Sequence, residues 1–501
     1  MEANLAFLLV IAIPLLGTPL IYLAGRLVER SKPGVNPSRW VALLVFLAAV
    51  YPLVIAANAV VRDGAQVAFS IGLIQLRLDG IGLLLAVIVL TLSILVTIFS
   101  APYLDKEEHQ EKYYALLSAM SGTMIGLGCA TDLFNLWVWF EGMAISSYTL
   151  VTFHRHQPGA LEAGVKYLVQ SAVGSVFVLI GIALVFAQTG SLSLVDIRSG
   201  ELTTPVMMAA GALFLIGFGI KAALVPLHTW LPDAHSQAPS GISAMLSGVV
   251  IEAGLIAMLK STGALFMVSA QWGVFLLGFG ALNMLLGNLM ALRQVQVKRM
   301  LAYSSLSHMG YMLLGLGVAF AYGSANAAAG SFFHIITHGL MKGLAFLSAG
   351  ALLYGFYIAK GSHRTLMVED LDGAAQRYPL IAFTLSLALL ALAGMPPLAG
   401  FMSKWQIFVG GFETHQTVAI ALVIFAALNS VLSLGYYAPL VNRMYRRQPS
   451  AVVSAGAWVS PWMSVALVIL ALAVVVLGFA PSLVSWLTNL ATHSLLAALG
   501  G

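Results

Sequence analysis

The chain has 501 residues, of which 60% are hydrophobic and only 9% are charged, with a formal net charge of +5. Soluble domains carry roughly 25% charged residues, so this composition excludes a soluble globular protein and is typical of an integral membrane protein. The single cysteine, Cys129, excludes an intrachain disulfide and any iron–sulfur or zinc site built from several cysteines.

Windows of about 20 apolar residues, each long enough to cross a bilayer, predict about fourteen transmembrane helices. The predicted spans are 4–25, 39–60, 80–101, 113–131, 133–153, 164–187, 206–227, 241–262, 272–292, 300–321, 326–354, 379–407, 417–440 and 461–487. The N-terminus, MEANLAFLLV, lacks a basic region, so we read it as the first transmembrane helix and not as a cleaved signal. A polar segment between 188 and 205 is expected at the surface.

The basic residues of the loops fall mainly on one side of the membrane when alternate loops are placed together. That side, called the basic side below, carries Arg26, Arg30, Lys32, Arg39, Lys106, Lys112, Arg155, Lys166, Arg293, Lys298, Arg299, Lys360, Arg364, Arg377, Arg443, Arg446 and Arg447. The opposite side carries Arg62, Arg77, Arg198 and Lys260. The positive-inside rule predicts a multi-pass protein of the cell membrane with both termini outside. The lipid bilayer, and not nucleic acid, explains the excess of basic residues.

Two predicted spans combine a lysine with prolines. Pro226 follows Lys221, whereas the pair Pro396 and Pro397 precedes Lys404. Interrupted spans in corresponding positions indicate an inverted repeat with an ion site at the break. This predicts an N-terminal three-helix segment (1–112), a first five-helix repeat (113–265), a second five-helix repeat (266–440), and a C-terminal helix and tail (441–501).

Glu141, Lys221 and Glu252 are ionisable residues inside predicted spans. An ionisable side chain at mid-bilayer costs about 2.5–3.5 kcal/mol, so it requires a partner, water or a function. A lysine whose carboxylate partner moves can switch between its charged and neutral forms, which suits an ion path. The alternatives are a static salt bridge at Lys221, which desolvation makes a weak stabilising device, and a packing hydrogen bond from Glu141 to a neighbouring serine.

A second group of ionisable residues lies further along the chain. His334, His338 and Lys342 are spaced i, i+4 and i+8, which places them along one stripe of a helix, and His308 lies in the preceding span. Because imidazole titrates near neutral pH, such a line is suited to pass protons. Metal binding, axial haem ligation and simple packing are alternatives, although no Asp, Glu or Cys accompanies the pair on its helix. We favour a proton relay and predict no metal and no cofactor on this chain.

Five stretches resemble the antiporter-like membrane subunits shared by respiratory complex I, Mrp-type Na⁺/H⁺ antiporters and membrane-bound energy-converting hydrogenases. They are NLWVWFEGMAISSYTLV, KAALVPLHTWLPDAHSQAPSGISAMLSG, QVQVKRMLAYSSLSHMGYMLLG, FFHIITHGLMKGLAFLSAG and GMPPLAGFMSKW. The resemblance covers the chain from residue 76 to about residue 405. It implies an all-α fold of fourteen transmembrane helices with two inverted five-helix repeats, broken seventh and twelfth helices, and a central polar axis.

The resemblance also implies roles for individual residues. Glu141 would pair with Lys221, the eleventh-span histidines would be His334 and His338, and the twelfth-span exit residue would be Lys404. Glu252 stands where these subunits usually have a lysine, which indicates a specialised subfamily. Glu252 could also pair with Lys221 and compete with Glu141 for the same ammonium group.

The resulting hypothesis is a proton- or Na⁺-translocating subunit of a larger membrane complex. Its partners would be other membrane subunits and a peripheral redox module, such as a complex I-like oxidoreductase or an energy-converting hydrogenase. No motif here binds a nucleotide, flavin, quinone or metal cluster, so redox chemistry would belong to those partners. The alternatives are a subunit of an Mrp-type secondary Na⁺/H⁺ antiporter, a coupling subunit for inorganic carbon uptake, and a structural scaffold.

Overall fold

The computed structural model describes residues 1–31, 35–62, 64, 66–72, 74–199, 204–269, 271–357 and 364–500. Most of these residues are helical, and the described strands are β1 (Ala68–Ile71) and β2 (Ile74–Arg77), which pair as an antiparallel hairpin. Two lysines used for the topology prediction, Lys32 and Lys360, lie outside the described residues.

The helices follow one another with short connections. The first part of the chain forms α1 (Ala3–Ser31), α2 (Ser38–Arg62), α3 (Gly80–Tyr103), α4 (Gln110–Cys129), α5 (Leu133–Val151), α6 (Pro158–Thr189) and α7 (Leu194–Ser199). The middle part forms α8 (Pro205–Lys221), α9 (Trp230–Gln237), α10 (Ser240–Met245), a π segment (Leu246–Val250), α11 (Ile251–Ala264), a 3-10 turn (Phe266–Val268), α12 (Trp272–Leu292), α13 (Val297–Tyr322) and α14 (Ala325–Phe356). The last part forms a 3-10 turn (Glu369–Leu371), α15 (Ala374–Arg377), α16 (Pro379–Ala393), α17 (Ala399–Phe412), α18 (Thr417–Arg446), α19 (Ala451–Ala455), α20 (Pro461–Phe479) and α21 (Ser482–Ala498).

The membrane-spanning helices divide into a central and an outer set. Within the described residues, nine helices are long and apolar enough to cross a membrane, with 240–264 taken as one. The apolar parts of α14 and of 240–264 are entirely buried inside the chain, whereas α1, α2, α6 and α18 each leave much of their apolar surface exposed. Exposed apolar faces suit contact with lipid or with other membrane subunits. Ionisable side chains on the central helices are therefore shielded from lipid by protein.

Two helices are interrupted inside the apolar region. The chain leaves helical conformation between Lys221 and Trp230, and again between Ala393 and Ala399. Both gaps contain the prolines that predicted a break, because proline lacks an N–H and its ring clashes with the preceding turn. The helices on either side of each gap are too short to cross a bilayer alone, which places non-helical backbone next to Lys221 and Lys404.

The β1–β2 hairpin was not predicted, and the structure also differs from the predicted spans near the C-terminus. The predicted span 461–487 corresponds to two helices, because the chain turns at Ala480 and Pro481 and α21 begins at Ser482. This last helix packs on α3, where the N–H of Gly80 donates to Ser494 Oγ at 2.9 Å. Hydropathy alone does not locate such a turn, since apolar residues continue on both sides of Pro481.

Candidate functional site

Lys221 is the last residue of α8 and lies directly before the first helix break. Its side chain is buried, and its ammonium donates to Ser147 Oγ at 3.2 Å. The ammonium also lies 4.3 Å from the centre of the Tyr167 ring, which stacks on Trp230 at 3.9 Å. Cation–π contact and a hydroxyl bond compensate for part of the hydration that a buried ammonium loses. Lys221 is therefore held by neutral partners.

Side chains from neighbouring segments hold the backbone of this first break. Ala223 has a φ of 55°, which is uncommon for a residue with a Cβ. Asn283 of α12 accepts from the N–H of Val225 at 2.9 Å and donates to the carbonyl of Ala223 at 3.1 Å. The indole N–H of Trp230 donates to the carbonyl of Ile220 at 2.8 Å. These bonds satisfy backbone groups that would otherwise be unpaired inside the membrane.

Glu141 lies on α5 and is partly buried, with its Oε1 enclosed and without a hydrogen-bond partner. The structure describes both Glu141 and Lys221 and places no ion pair between them; α5 contributes Ser147 to the ammonium instead. The pair that the resemblance implies is therefore not a direct contact here. Phe134, Val138 and Ile145, which share the face of Glu141 on α5, are 49%, 46% and 51% exposed. Glu141 thus lies at an outer face of the chain.

Glu252 lies near the start of α11 and is completely buried. Its Oε1 and Nδ1 of His338 are 2.7 Å apart, while its Oε2 and Nε2 of His338 have no hydrogen-bond partner. The sequence left Lys221 open as the partner of Glu252, and the structure assigns His338 instead. The reason is helical geometry: Gly254, on the opposite face of α11, packs against the backbone of Lys221, so Glu252 points away from that lysine.

Two facing glycines bring α14 close to the π segment. A Cβ added to Gly339 would lie 2.7 Å from the carbonyl oxygen of Gly248, and a Cβ added to Gly248 would lie 3.1 Å from that of Gly339. Only residues without a side chain permit this approach of two backbones. Because His338 adjoins Gly339 and Glu252 lies one turn after Gly248, the approach places the imidazole within reach of the carboxylate.

The imidazoles of His338, His308 and His334 connect Glu252 to α17. Nδ1 of His308 and Nε2 of His334 are 3.0 Å apart, and the centres of their rings are separated by 5.2 Å. Nδ1 of His334 lies 2.8 Å from Ser403 Oγ, and the ring of His338 lies 5.1 Å from that of His308. Close contacts therefore run from Glu252 through the three imidazoles to Ser403.

Lys342 is completely buried and follows His338 by one turn on α14. Its ammonium donates to the carbonyl of Leu301 at 2.8 Å and to Ser304 Oγ. Ser304 precedes His308 by one turn on α13, so α13 and α14 present matching stripes of polar side chains to each other. The predicted stripe of His334, His338 and Lys342 therefore faces a second polar stripe that was only partly predicted.

Lys404 lies on α17 just after the second break and is buried. Its ammonium donates to the carbonyl of Leu392 at 2.9 Å and to Ser430 Oγ at 3.0 Å, and lies 4.5 Å from the centre of the Tyr311 ring. Leu392 lies in the last turn of α16, whose carbonyls lose their helical partners at the break. Lys404 follows Ser403 directly, so it lies at the end of the line of histidines.

The predicted site residues therefore form two groups. The larger group is central and consists of Glu252, His308, His334, His338, Lys342 and Lys404. The smaller group contains Lys221, with Glu141 at its outer edge. Over the part of the chain that the structure describes, no hydrogen bond or ion pair joins Lys221 to Glu252.

Sequence reasoning missed several polar residues of the site. Asn283, Tyr311 and Ser403 are uncharged, and uncharged residues do not stand out in apolar spans. His235 lies between the predicted spans 206–227 and 241–262 and was not singled out, but it is completely buried on α9, where its ring stacks on Phe346 at 4.7 Å. Both of its ring nitrogens lack hydrogen-bond partners. The signal available for His235 was its place after the proline that breaks the predicted span 206–227.

Both histidines of α14 use one ring nitrogen, of the kind that would ligate a metal ion, for a hydrogen bond to a side chain. Nδ1 of His334 meets Ser403, and Nδ1 of His338 meets Glu252. Among the residues described, no group of three or more His, Cys, Asp or Glu side chains is placed to hold a metal ion.

Comparison with known families gives two matches. Residues 130–430 match the family described as NADH:quinone oxidoreductase/Mrp antiporter, TM. Residues 68–114 match the family described as NADH-Ubiquinone oxidoreductase (complex I), chain 5 N-terminus. The first match contains every candidate residue named above, from Glu141 to Lys404.

Two relatives illustrate the range of the family. The F420H2 dehydrogenase subunit N of Methanosarcina mazei is 32% identical over 448 residues, which cover 88% of this chain and 89% of the relative. Hydrogenase-4 component B of Escherichia coli is 31% identical over 378 residues, which cover 73% of this chain and 55% of the relative.

Solved structures share the fold. A chain of the membrane-bound sulfane sulfur reductase, an archaeal respiratory membrane complex, superimposes with a TM-score of 0.85 at 26% identity, covering 99% of this chain and 100% of that one. A chain of respiratory complex I from Thermus thermophilus gives a TM-score of 0.76 at 26% identity, covering 94% and 98%. A chain of the Mrp complex from Dietzia sp., at 22% identity, shares the fold with a TM-score of 0.85 over 100% of both chains. By the first family match and these relatives, the chain belongs to the NADH:quinone oxidoreductase/Mrp antiporter family of membrane subunits.

Proposed function

We propose that this chain is a proton- or Na⁺-translocating subunit of a multisubunit membrane complex that is coupled to a redox module. The observation that carries the proposal is the buried line from Glu252 through three histidines to Ser403 and Lys404. Ionisable groups inside a membrane are costly, and lines of them mark ion paths and proton relays. The redox coupling is supported by the relatives, which are named as subunits of an F420H2 dehydrogenase and of a hydrogenase.

The proposed architecture has fourteen transmembrane helices arranged with two inverted five-helix repeats, 113–265 and 266–440. The two interrupted helices support it, since α8 and α9 flank one break and α16 and α17 flank the other. In the first repeat the lysine precedes its break, and in the second repeat it follows the break. An inverted relation between the repeats accounts for this reversed order. The N-terminal segment and the C-terminal helices then surround the repeats.

The proposed path places an ion-exchanging group at each break and a relay between them. Lys221 is the group of the first repeat and Lys404 that of the second. His308, His334 and His338 relay protons because each imidazole can accept a proton on one nitrogen and release one from the other. The step from Lys221 to Glu252 has no direct contact, so it requires water or a rearrangement of the residues around Gly254.

The experiment exchanges Lys221 in the complete complex, reconstituted in vesicles. Lys221→Ala is expected to abolish coupled ion transport without loss of assembly, since the ammonium is held by direct contacts with a serine hydroxyl and an aromatic ring and by no direct ion pair among the described residues. Lys221→Arg is expected to fail nearly as badly, because a guanidinium does not release its proton in a protein. Lys166→Ala is the matched control: Lys166 is partly exposed on α6, where its ammonium forms surface ion pairs with Glu162 and Asp233 and does not contact the buried lysines or histidines.

Transport by Lys221→Arg at the rate of the parent complex would contradict the proposal. The subunits that co-purify with the chain decide whether its ion transport is coupled to a redox module. Partners that carry redox centres are expected; a complex of membrane subunits alone, with Na⁺/H⁺ exchange driven by an ion gradient, would favour an Mrp-type antiporter instead. Uptake of inorganic carbon by the same vesicles would favour a coupling subunit for inorganic carbon uptake.

A further inference from the structure

A cavity opens on the basic side of the chain, away from both helix breaks. It has a volume of about 470 Å³ and lies between the end of α12, the start of α13, the 3-10 turn at Glu369–Leu371 and α18. Its walls include Met300, Glu369, Gly435, Tyr436 and Arg443. Two charged side chains of its wall, Glu369 and Arg443, make the cavity suitable for water.

The floor of the cavity is built from hydrogen-bonded polar side chains. Tyr436 is almost fully buried, and its hydroxyl donates to Asn288 Oδ1 at 2.9 Å. Asn288 is completely buried on α12 and donates from its amide to the carbonyl of Asn429 at 2.9 Å. The ring of the next residue, Tyr437, lies 4.3 Å from that of Tyr436.

Tyr437 connects the floor of the cavity to the central axis. Its hydroxyl is hydrogen-bonded to Ser304 Oγ, and Ser304 Oγ in turn accepts a hydrogen bond from the ammonium of Lys342. Ser304 and Lys342 are both completely buried, and His308 follows Ser304 by one turn on the same helix. Polar groups therefore extend from the cavity, through two tyrosines and a serine, to a buried lysine beside the histidines.

We infer that this cavity is a water-filled mouth on the basic side, from which Tyr436, Tyr437 and Ser304 pass protons to Lys342. The inference rests on the proposed function and adds the place where protons reach the second half of the axis. In one transfer, a hydronium ion in the cavity loses a proton to the Tyr436 hydroxyl, which turns from Asn288 and releases its own proton to the Tyr437 hydroxyl oxygen. The Tyr437 hydroxyl then releases its own proton to Ser304 Oγ. The last hydroxyl proton moves from Ser304 to the neutral amine of Lys342, so one proton leaves the water and one arrives at the lysine.

The alternative is that the tyrosines only stabilise the packing of α12, α13 and α18. A buried tyrosine hydroxyl requires a partner, and a backbone carbonyl is sufficient, as at Tyr311, whose hydroxyl donates to the carbonyl of Ala426 at 3.0 Å. The arrangement at Tyr437 differs, because its partner is a serine that also contacts an ionisable group. A purely structural role and a relay therefore differ in their effect on transport.

The test compares two tyrosine variants in the complete complex, reconstituted in vesicles. Tyr437→Phe keeps the ring and removes the hydroxyl, and is expected to reduce ion transport about tenfold, the equivalent of raising the barrier by about 1.4 kcal/mol. Tyr113→Phe is the control, because Tyr113 is also completely buried and its hydroxyl also meets a serine, Ser100, at 2.9 Å. Equal transport by Tyr437→Phe and Tyr113→Phe would overturn the inference.

A second measurement does not depend on the stability of a tyrosine variant. In a Cys129→Ala background, Gly435→Cys places a thiol in the cavity, where its Cβ would meet only Leu292 Cδ2 at 3.1 Å. A charged thiol reagent added on the basic side is expected to label this cysteine and to lower transport severalfold. The same reagent on Gln448→Cys, an exposed position of the same side, is expected to leave transport unchanged. Full transport after labelling at position 435 would overturn the inference.

These outcomes separate the inference from the function on which it rests. Lys342→Ala is measured alongside and is expected to abolish transport. If Lys342→Ala fails while Tyr437→Phe and the labelled Gly435→Cys variant transport normally, the lysine belongs to the path but this cavity does not supply it. If Lys342→Ala also transports at the parent rate, the proposed axis itself is wrong.

Discussion

At the scale of single residues, the buried ionisable groups are distinguished by their partners. Lys221, Lys342 and Lys404 each donate to a serine hydroxyl, and the last two also donate to a backbone carbonyl. Glu252 instead meets His338, and both side chains are completely buried. A hydroxyl or a carbonyl stabilises an ammonium less than a carboxylate does. Each of these lysines can therefore release a proton more readily than it could from an ion pair. The contact of Glu252 with His338 joins an acid to a base in the middle of the chain.

The variant Glu252→Gln tests whether this contact takes part in transport. A glutamine amide can accept from a protonated Nδ1 of His338 or donate to an unprotonated one, so we expect the complex to assemble with little change in stability. Transport is lost because position 252 no longer titrates. Assembly is measured by gel filtration and thermal unfolding, and transport in vesicles.

The control for this prediction is Glu252→Leu, which is similar in size but accepts no hydrogen bond. It leaves Nδ1 of His338 buried without a hydrogen-bond partner, at a cost of about 1–3 kcal/mol, so we expect a lower melting temperature in addition to lost transport. Parent-like transport by Glu252→Gln would remove Glu252 from the path. Poor assembly of that variant would instead indicate an ionised Glu252 that anchors a charged His338.

The sequence was sufficient to locate the ionisable residues of the central group, because charges are rare in apolar spans. It was not sufficient to pair them. Glu252 and His338 are on helices far apart in the chain, and their contact depends on how α11 is rotated about its axis. Ser304 and Tyr437 were missed for another reason. A serine hydroxyl in a transmembrane helix more often bonds its own backbone, and a tyrosine in an apolar span is read as a packing residue.

At the scale of helices, the contact between the π segment and α14 positions the centre of the axis. Gly339→Ala would place a Cβ 2.7 Å from the carbonyl oxygen of Gly248, so one backbone must move away. We expect a destabilisation of about 1–3 kcal/mol, typical of overpacking, and reduced transport because the shift separates His338 from Glu252. Thermal unfolding and vesicle transport measure the two effects.

Gly343→Ala on the same helix is the matched control. Its Cβ would meet only side-chain methyl groups, the nearest being Leu92 Cδ2 at 3.1 Å, which can move aside. We expect near-parent stability and transport for this variant. Equal effects of the two alanines would show that the approach of Gly339 to Gly248 has no special part in the axis.

Helix positions were largely predictable from hydropathy, and both breaks were predictable from proline. The π segment was not, because its residues continue an ordinary apolar helix pattern. The strands β1 and β2 were missed since each has only four residues, too few for a distinct alternating pattern. The division between α20 and α21 was missed because Pro481 stands between two apolar stretches without a polar loop.

At the scale of the whole molecule, the polar residues on the membrane surfaces are arranged asymmetrically. The opposite side contains the β1–β2 hairpin and the ion pair of Lys260 with Asp79 at 3.1 Å. The basic side contains the cavity at Tyr436 and the ion pair of Arg443 with Asp372 at 3.0 Å. Protons that enter on the basic side would therefore have a mouth near the proposed second repeat, while the line of histidines ends at Lys404.

The orientation of the chain is tested by cysteines on the two sides. In a Cys129→Ala background, Gln66→Cys lies beside the hairpin and Gln448→Cys follows α18, and both positions are exposed. The positive-inside rule places the basic side in the cytoplasm. A membrane-impermeant maleimide added to whole cells is therefore expected to label Gln66→Cys at once, and Gln448→Cys only after the membrane is opened.

The native cysteine does not interfere with this measurement, because Cys129 is completely buried and is removed in the background. Both variants replace a glutamine by a cysteine, so the change in side chain and charge is the same at the two positions. The reverse labelling pattern would place the basic side and the cavity at Tyr436 outside the cell. The cavity would then be an exit and not an intake for protons pumped outwards, and the direction of transfer between Lys342 and Tyr437 would be inverted. Labelling thus fixes the direction in which the axis has to operate.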